Sequence, residues 1–217
     1  MGRERDVTAV KRSRNSRRCQ VYLDGIFAFE VSDTVRSQFG IQEGESLNEV
    51  LIRDIKRTEK LTEAKEKALR LLKYRPRSVR EITTRLKQEG YSEPVTARVT
   101  EDLVRVGLLD DESFAASYAH NRLMQHPIGR RLLAHELRRR GIDEEVIVRI
   151  GETVYQAMPE KDLAGRLIAR RARKPMNPKE MKRLTDFLIR RGFEWEIVSP
   201  LIEELKTNDD DMFLSDE

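Results

Sequence analysis

The sequence predicts a mainly α-helical protein. Three tandem three-helix repeats form an elongated curved body, preceded by a small α+β module that contains a β-hairpin. Three observations predict this. The helix-like stretches "TRLKQEGY", "HELRRRGI" and "DFLIRRGF" end at Gly90, Gly141 and Gly192, each 51 residues from the next. Apolar residues keep the same step on both sides of those glycines. And Asp24-Gly25 interrupts two β-type runs in "QVYLDGIFAFEV", the strongest short-range hairpin signal a sequence carries.

In the front module, Phe27, Phe29 and Val31 alternate as one strand face, and Val7 to Lys11 adds a third strand. Ser32 opens a short helix that ends near Gly40. "GESLNEVLIRDIK" gives another, with Ser46 and Glu49 as its capping box. The stretch "RTEKLTEAKEK" continues as a helical linker to the repeats. The expected organisation is 1–58 for the module, 59–109 for the linker and first repeat, 110–158 and 159–206 for the second and third, and 207–217 for a disordered acidic tail.

Within the repeats, Ile82, Leu133 and Leu184 share one register position, as do Leu86, Leu137 and Leu188. Tyr91, Ile142 and Phe193 follow the glycines. Val95, Val146 and Ile197, then Leu103, Val154 and Leu205, keep step beyond, and Pro76, Pro127 and Pro178 do so upstream. Each unit reads as three helices. The first ends before the proline, which disfavours helical geometry in the residue preceding it. The second starts at a cap (Ser78 with Glu81, Gly129, then Asn177 with Glu180) and stops at the glycine. The third is capped by Ser92 in the first copy and Asp143 in the second, while Glu194 stands there in the third. In "GLLDDESFAASYAHNRL", Asp110 is the N-cap of the first helix of the middle copy. Asp111 and Glu112 complement the helix dipole there.

Charge is unevenly spread. Of 217 residues 37% are charged, with a net +4. The segment 207–217 holds five acids and no base, so residues 1–206 carry +9. Residues 161–191 hold eleven Lys/Arg against three Asp/Glu, and 1–18 hold seven against two. Such blocks point to phosphate or to an acidic protein surface. The candidate contacts are Arg77, Arg80 and Arg85 in the first copy; Arg130, Arg131, Arg138, Arg139 and Arg140 in the second; and Arg170, Arg171, Arg173, Lys174, Lys182 and Arg183 in the third.

Catalytic chemistry is not expected. The chain lacks a Walker A loop, a dinucleotide-binding glycine pattern and a G-x-S-x-G elbow. His120, His126 and His135 are spaced by six and nine, which does not put neighbours on one helix face, so neither a metal nor any cofactor is expected. Asp209, Asp210 and Asp211 read as a solvated acidic run. The single cysteine, Cys19, and the absence of a long apolar run or of an apolar core near "MGRERDVTAVKR" lead to a cytoplasmic expectation.

Together, "ALRLLKYRPRSVREITTRLKQEGY", "LVRVGLLDDESFAASYAHNRL" and "HELRRRGID" resemble the RecX family of bacterial recombination regulators, closely over 64–157 and more loosely in the third repeat. The module around "VYLDGIFAFEV" is similar to one that precedes the repeats in many members. The resemblance implies a non-enzymatic protein that binds the RecA recombinase in the groove of its filament on single-stranded DNA; a monomer is expected. It also implies that this protein hinders ATP hydrolysis and strand exchange and limits filament growth. No catalytic residue carries over. The other function compatible with the basic helices is a stand-alone DNA-binding protein, a transcriptional or architectural factor with helix-turn-helix-like units.

Overall fold

The structure, a computed structural model, describes residues 4–13, 18–172 and 176–214, with side chains as far as 206. Among the described residues it holds four strands and ten helices. They divide into two compact units, Met1–Pro76 with Ile82–Leu109, and Arg77–Glu81 with Asp110–Glu217.

The first unit opens with β1 (Glu4–Arg12), β2 (Arg18–Leu23) and β3 (Ile26–Ser32), then α1 (Asp33–Gln38), β4 (Ser46–Asn48) and α2 (Glu49–Tyr74). The strands form one antiparallel sheet in the order β3-β2-β1-β4. Alternation puts Cys19, Val21 and Leu23 of β2 and Phe29 and Val31 of β3 into a core shared with Val7, Ile41, Leu47, Ile52 and Ile55. The predicted hairpin turn is present: Asp24 and Gly25 both take positive φ, 52° and 81°.

Strand β4 departs from expectation. Ser46 and Glu49 were expected to form a capping box, but Ser46 pairs with Asp6 as the edge of the sheet. Burying Leu47 requires extended backbone beside β1. The cap shifts to Asn48, whose Oδ1 accepts from Leu51 N at 2.8 Å. Helix α2 then runs unbroken through the expected linker, so residues 58 and 59 sit mid-helix.

Glu59 on α2 ties the sheet to the helices. It is 4% exposed, accepts from the Ser32 backbone N–H (2.8 Å) and hydroxyl (2.9 Å), and faces Arg18 at 3.1 Å. Arg18 also reaches Glu63 at 2.9 Å, so the buried carboxylate is compensated by donors from strand and cap. In α3 (Val79–Gln88) and α4 (Glu93–Arg105), Ile82, Leu86, Val99 and Leu103 are buried.

The second unit comprises α5 (Asp111–Gln125), α6 (Arg130–Arg139), α7 (Glu144–Ala157), α8 (Glu160–Arg171), α9 (Pro178–Arg190) and α10 (Trp195–Leu214), with the first turn of α3. The 51-residue step is present in the backbone: α4, α7 and α10 begin at Glu93, Glu144 and Trp195. Gly90, Gly141 and Gly192 before them take φ of 88°, 80° and 85°, a conformation glycine adopts at least cost. Asp110 caps α5 through bonds from Glu112 N and Ser113 N, and Asn177 with Glu180 closes a full capping box on α9. Ser78 accepts from Glu81 N at 3.2 Å. Gly129, Ser92 and Asp143 occupy cap positions without a side-chain bond. One core joins Leu123, Leu133, Leu137, Leu163, Leu184, Leu188 and Phe193. Helix α10 continues to Leu214, so the backbone of 207–214 is helical where disorder was expected; extending a packed helix adds a hydrogen bond per residue fixed. Residues 215–217 lie outside the described part.

Candidate polyanion interface

The candidate cations sort into those the fold uses and those it leaves free. Arg140 is the most heavily used. Its guanidinium stacks 4.0 Å from the Tyr118 ring centroid, donates to the Glu136 carbonyl at 2.8 Å and stands 3.9 Å from Glu81. Arg138 pairs with Glu144 across the α6–α7 turn. Arg130 lies over the Tyr155 ring, and both its backbone N–H and Nε reach Glu160. Arg131 donates to the Ile189 carbonyl at 3.1 Å. Arg85 pairs with Glu89 at 2.9 Å, a carboxylate shared with Lys67. Arg77 is half-buried and engaged, and the stem of Arg80 lies against Gly141.

Beyond Arg80, four candidates are exposed with no side-chain hydrogen bond, ion pair or ring contact among the described residues: Arg139 on α6, Arg170 on α8, and Lys182 and Arg183 on α9. Arg171 is exposed and stacks 3.8 Å from the Phe187 centroid. Arg173 and Lys174 lie outside the described residues. Arg171 and Arg183 meet in one groove of about 190 Å³, lined also by Met176, Glu180, Leu184 and Phe187. A groove of about 700 Å³ in the first unit has Asp54 and Glu101 beside Arg57 and Arg98, so its sign does not single out an anion.

Two features escaped the sequence reading. Arg191, beyond the end of α9, is half-buried and lies 5.1 Å from the Phe187 centroid. The other is the network of Tyr118, Arg122 and Glu136. The Tyr118 hydroxyl donates to Glu136, and Arg122 donates to both carboxylate oxygens at 3.0 Å. Burial alone would lift the Glu136 carboxyl. The bonds from Arg122 and Tyr118, with the charges of Arg122 and Arg140, outweigh it and hold the group below its ordinary value. Tyr118 and Arg122 do stand four apart on α5, but nothing in the sequence pairs them with a glutamate on another helix.

Among the described residues no three His, Cys, Asp or Glu side chains gather as a metal site, and no helix is long and apolar enough to cross a membrane. His120, His126 and His135 are all exposed.

Comparison with known proteins agrees with this architecture. The family model described as the RecX first three-helix domain matches residues 64–103, and that of the RecX second three-helix domain matches 110–148. The regulatory protein RecX of Mycobacterium sp. (strain JLS) is 42% identical over 132 residues, covering 58% of this chain and 72% of that protein. The regulatory protein RecX of Bacillus subtilis (strain 168) is 27% identical over 200 residues, covering 91% and 76%. A crystal structure of regulatory protein RecX superposes with a TM-score of 0.72 at 26% identity, covering 92% of this chain and 99% of that one. The RecX structure from Lactobacillus salivarius shares the fold, with a TM-score of 0.61 at 19% identity over 69% and 99%. With these helices, this 51-residue step and these matches, the chain belongs to the RecX family of regulatory proteins.

Proposed function

We propose that the chain is a non-enzymatic regulator of homologous recombination that binds RecA and its filament on single-stranded DNA. On this reading it restrains ATP hydrolysis, strand exchange and filament growth. The observation that supports it best is the set of exposed candidate cations on α6, α8 and α9 that meet no described partner: Arg139, Arg170, Lys182 and Arg183. Ion pairs such as Arg138 with Glu144 neutralise much of the basic sequence, so cations kept unpaired on helix surfaces stand ready for an acidic or phosphate-bearing partner. Likeness to regulatory RecX proteins supports RecA as that partner. The protein acts in the cytoplasm, where RecA does.

Co-sedimentation tests this directly. The chain should pellet with RecA filaments on single-stranded DNA far more than with the same DNA alone. Equal recovery with bare DNA would instead favour the stand-alone DNA-binding function, and no recovery with filaments would reject the RecA role.

A further inference from the structure

The third repeat concentrates cations around one aromatic ring. Phe187 of α9 has the Arg171 guanidinium 3.8 Å and the Arg191 guanidinium 5.1 Å from its centroid. Arg183 lines the same groove as Arg171 and Phe187. The one carboxylate among the described lining residues, Glu180, accepts from Asn177 N in the α9 capping box. Neither Arg171 nor Arg183 has a carboxylate partner among the described residues. The only hydrogen bond described for the Arg191 guanidinium is a long one, 3.4 Å, to the Pro127 carbonyl.

Like charges gathered this way repel unless an anion joins them. Burial, and then the guanidiniums of Arg122 and Arg171, hold the Arg191 guanidinium below its ordinary value; Glu136 opposes this only in part. A guanidinium stacked on a ring keeps its in-plane N–H edge for bidentate bonds to oxygen, and the ring shields one face from water.

We infer that the groove lined by Arg171, Arg183 and Phe187, with Arg191 near the same ring, is a seat for a backbone phosphate of nucleic acid. Phosphate is favoured over a protein carboxylate by its setting. Residues 161–191 carry eleven bases against three acids, which suits a chain of phosphates passing the groove. The inference rests on the proposed function only in assigning this surface to a nucleoprotein partner.

The test uses the full chain and a fluorescein-labelled single-stranded deoxythymidine oligonucleotide, followed by anisotropy without RecA. Arg171→Gln and Arg183→Gln should each weaken binding roughly tenfold and reduce the salt slope by about one. Arg166→Gln, exposed on α8 and outside the groove, should stay within about twofold. Arg171→Lys, which keeps charge but not the fork, should fall between. Equal losses for Arg171→Gln and Arg166→Gln would overturn the site. So would displacement of the oligonucleotide by a glutamate oligopeptide at equal charge concentration. Should a variant misfold by circular dichroism, arginine Nε–Hε NMR of the unmodified chain decides instead. Inorganic phosphate should shift Arg171 and Arg183 selectively, and uniform shifts over the exposed arginines would overturn the site. Because RecA is absent, losing this result leaves filament binding untouched, and failure of filament binding leaves this result untouched.

Discussion

The Ser78 hydroxyl donates a 2.7 Å hydrogen bond to the carbonyl of Arg140, and 51 residues further along each partner the Gly129 N–H donates at 2.9 Å to the carbonyl of Arg191. In both places the start of a second helix docks on the turn that ends the next copy's second helix. The side chain at the docking start rests on the turn glycine: Arg80 on Gly141, and Leu132 on Gly192. The residue types differ, hydroxyl against glycine N–H, yet the joint repeats. A repeat protein stacks its neighbours through just such a recurring contact.

Gly129 is the stricter of the two donors. A Cβ there would run into the backbone of Gly192 and Phe193. Gly129→Ala is expected to cost more than about 3 kcal/mol, because backbone cannot move aside as a side-chain tip can. Ser78→Ala should cost only about 1–2 kcal/mol, the loss of a cap and one hydrogen bond. Urea denaturation of the two variants gives the comparison, and similar midpoints would reject the joint as described.

The Tyr118–Arg122–Glu136 network predicts a pH dependence. The folded Glu136 carboxyl lies below its ordinary value of 4.5, so the stability it contributes is fully present above that value. It is lost as pH falls through the lower folded value. Glu136→Gln should remove this acid-side slope and destabilise by about 2–3 kcal/mol, since it leaves Arg122 half-buried without its carboxylate. Denaturation at stepped pH from neutral downward reads both effects. An unchanged slope in the variant would assign acid sensitivity elsewhere.

Neighbouring arginines on α6 and its cap should behave differently. Arg139→Glu should leave the melting temperature within about 2 °C and weaken filament binding, since Arg139 is exposed and unpaired among the described residues. Arg140→Glu should lower stability markedly by removing the Tyr118 stack and placing a carboxylate beside Glu81 and Glu136. A triple charge reversal of Arg138, Arg139 and Arg140 would therefore mix folding with binding. Thermal denaturation alongside filament co-sedimentation separates the two contributions.

Much of the fold was legible because local chemistry and tertiary packing agree. The glycines at 90, 141 and 192, the Asp24-Gly25 turn, and the caps at Asp110 and Asn177 each need a particular residue for a backbone reason that the sequence displays. Strand β4 was not legible. Three residues with one buried side chain, Leu47, carry too little alternation, and only pairing with β1 makes them extended. The site was legible as charge and not as geometry. Arg138, Arg139 and Arg140 look alike in sequence. What separates them is a glutamate six residues along from Arg138 and a tyrosine on another helix beneath Arg140. Arg191 escaped notice because its setting depends on Phe187 and on charges from α5 and α8.

If the basic helices meet phosphates in the filament, oligonucleotide affinity should fall roughly tenfold or more between low and physiological salt for several contacts. Anisotropy across a salt series measures the slope. A flat response would leave protein–protein contact as the means by which these cations act.

The most direct measurement is the DNA-dependent ATPase of RecA from the same organism on single-stranded DNA, titrated with this chain. Inhibition at amounts well below those needed to coat the DNA is expected, and a tenfold excess of bare DNA should not relieve it. No inhibition, or inhibition abolished by that excess, would contradict direct action on the filament.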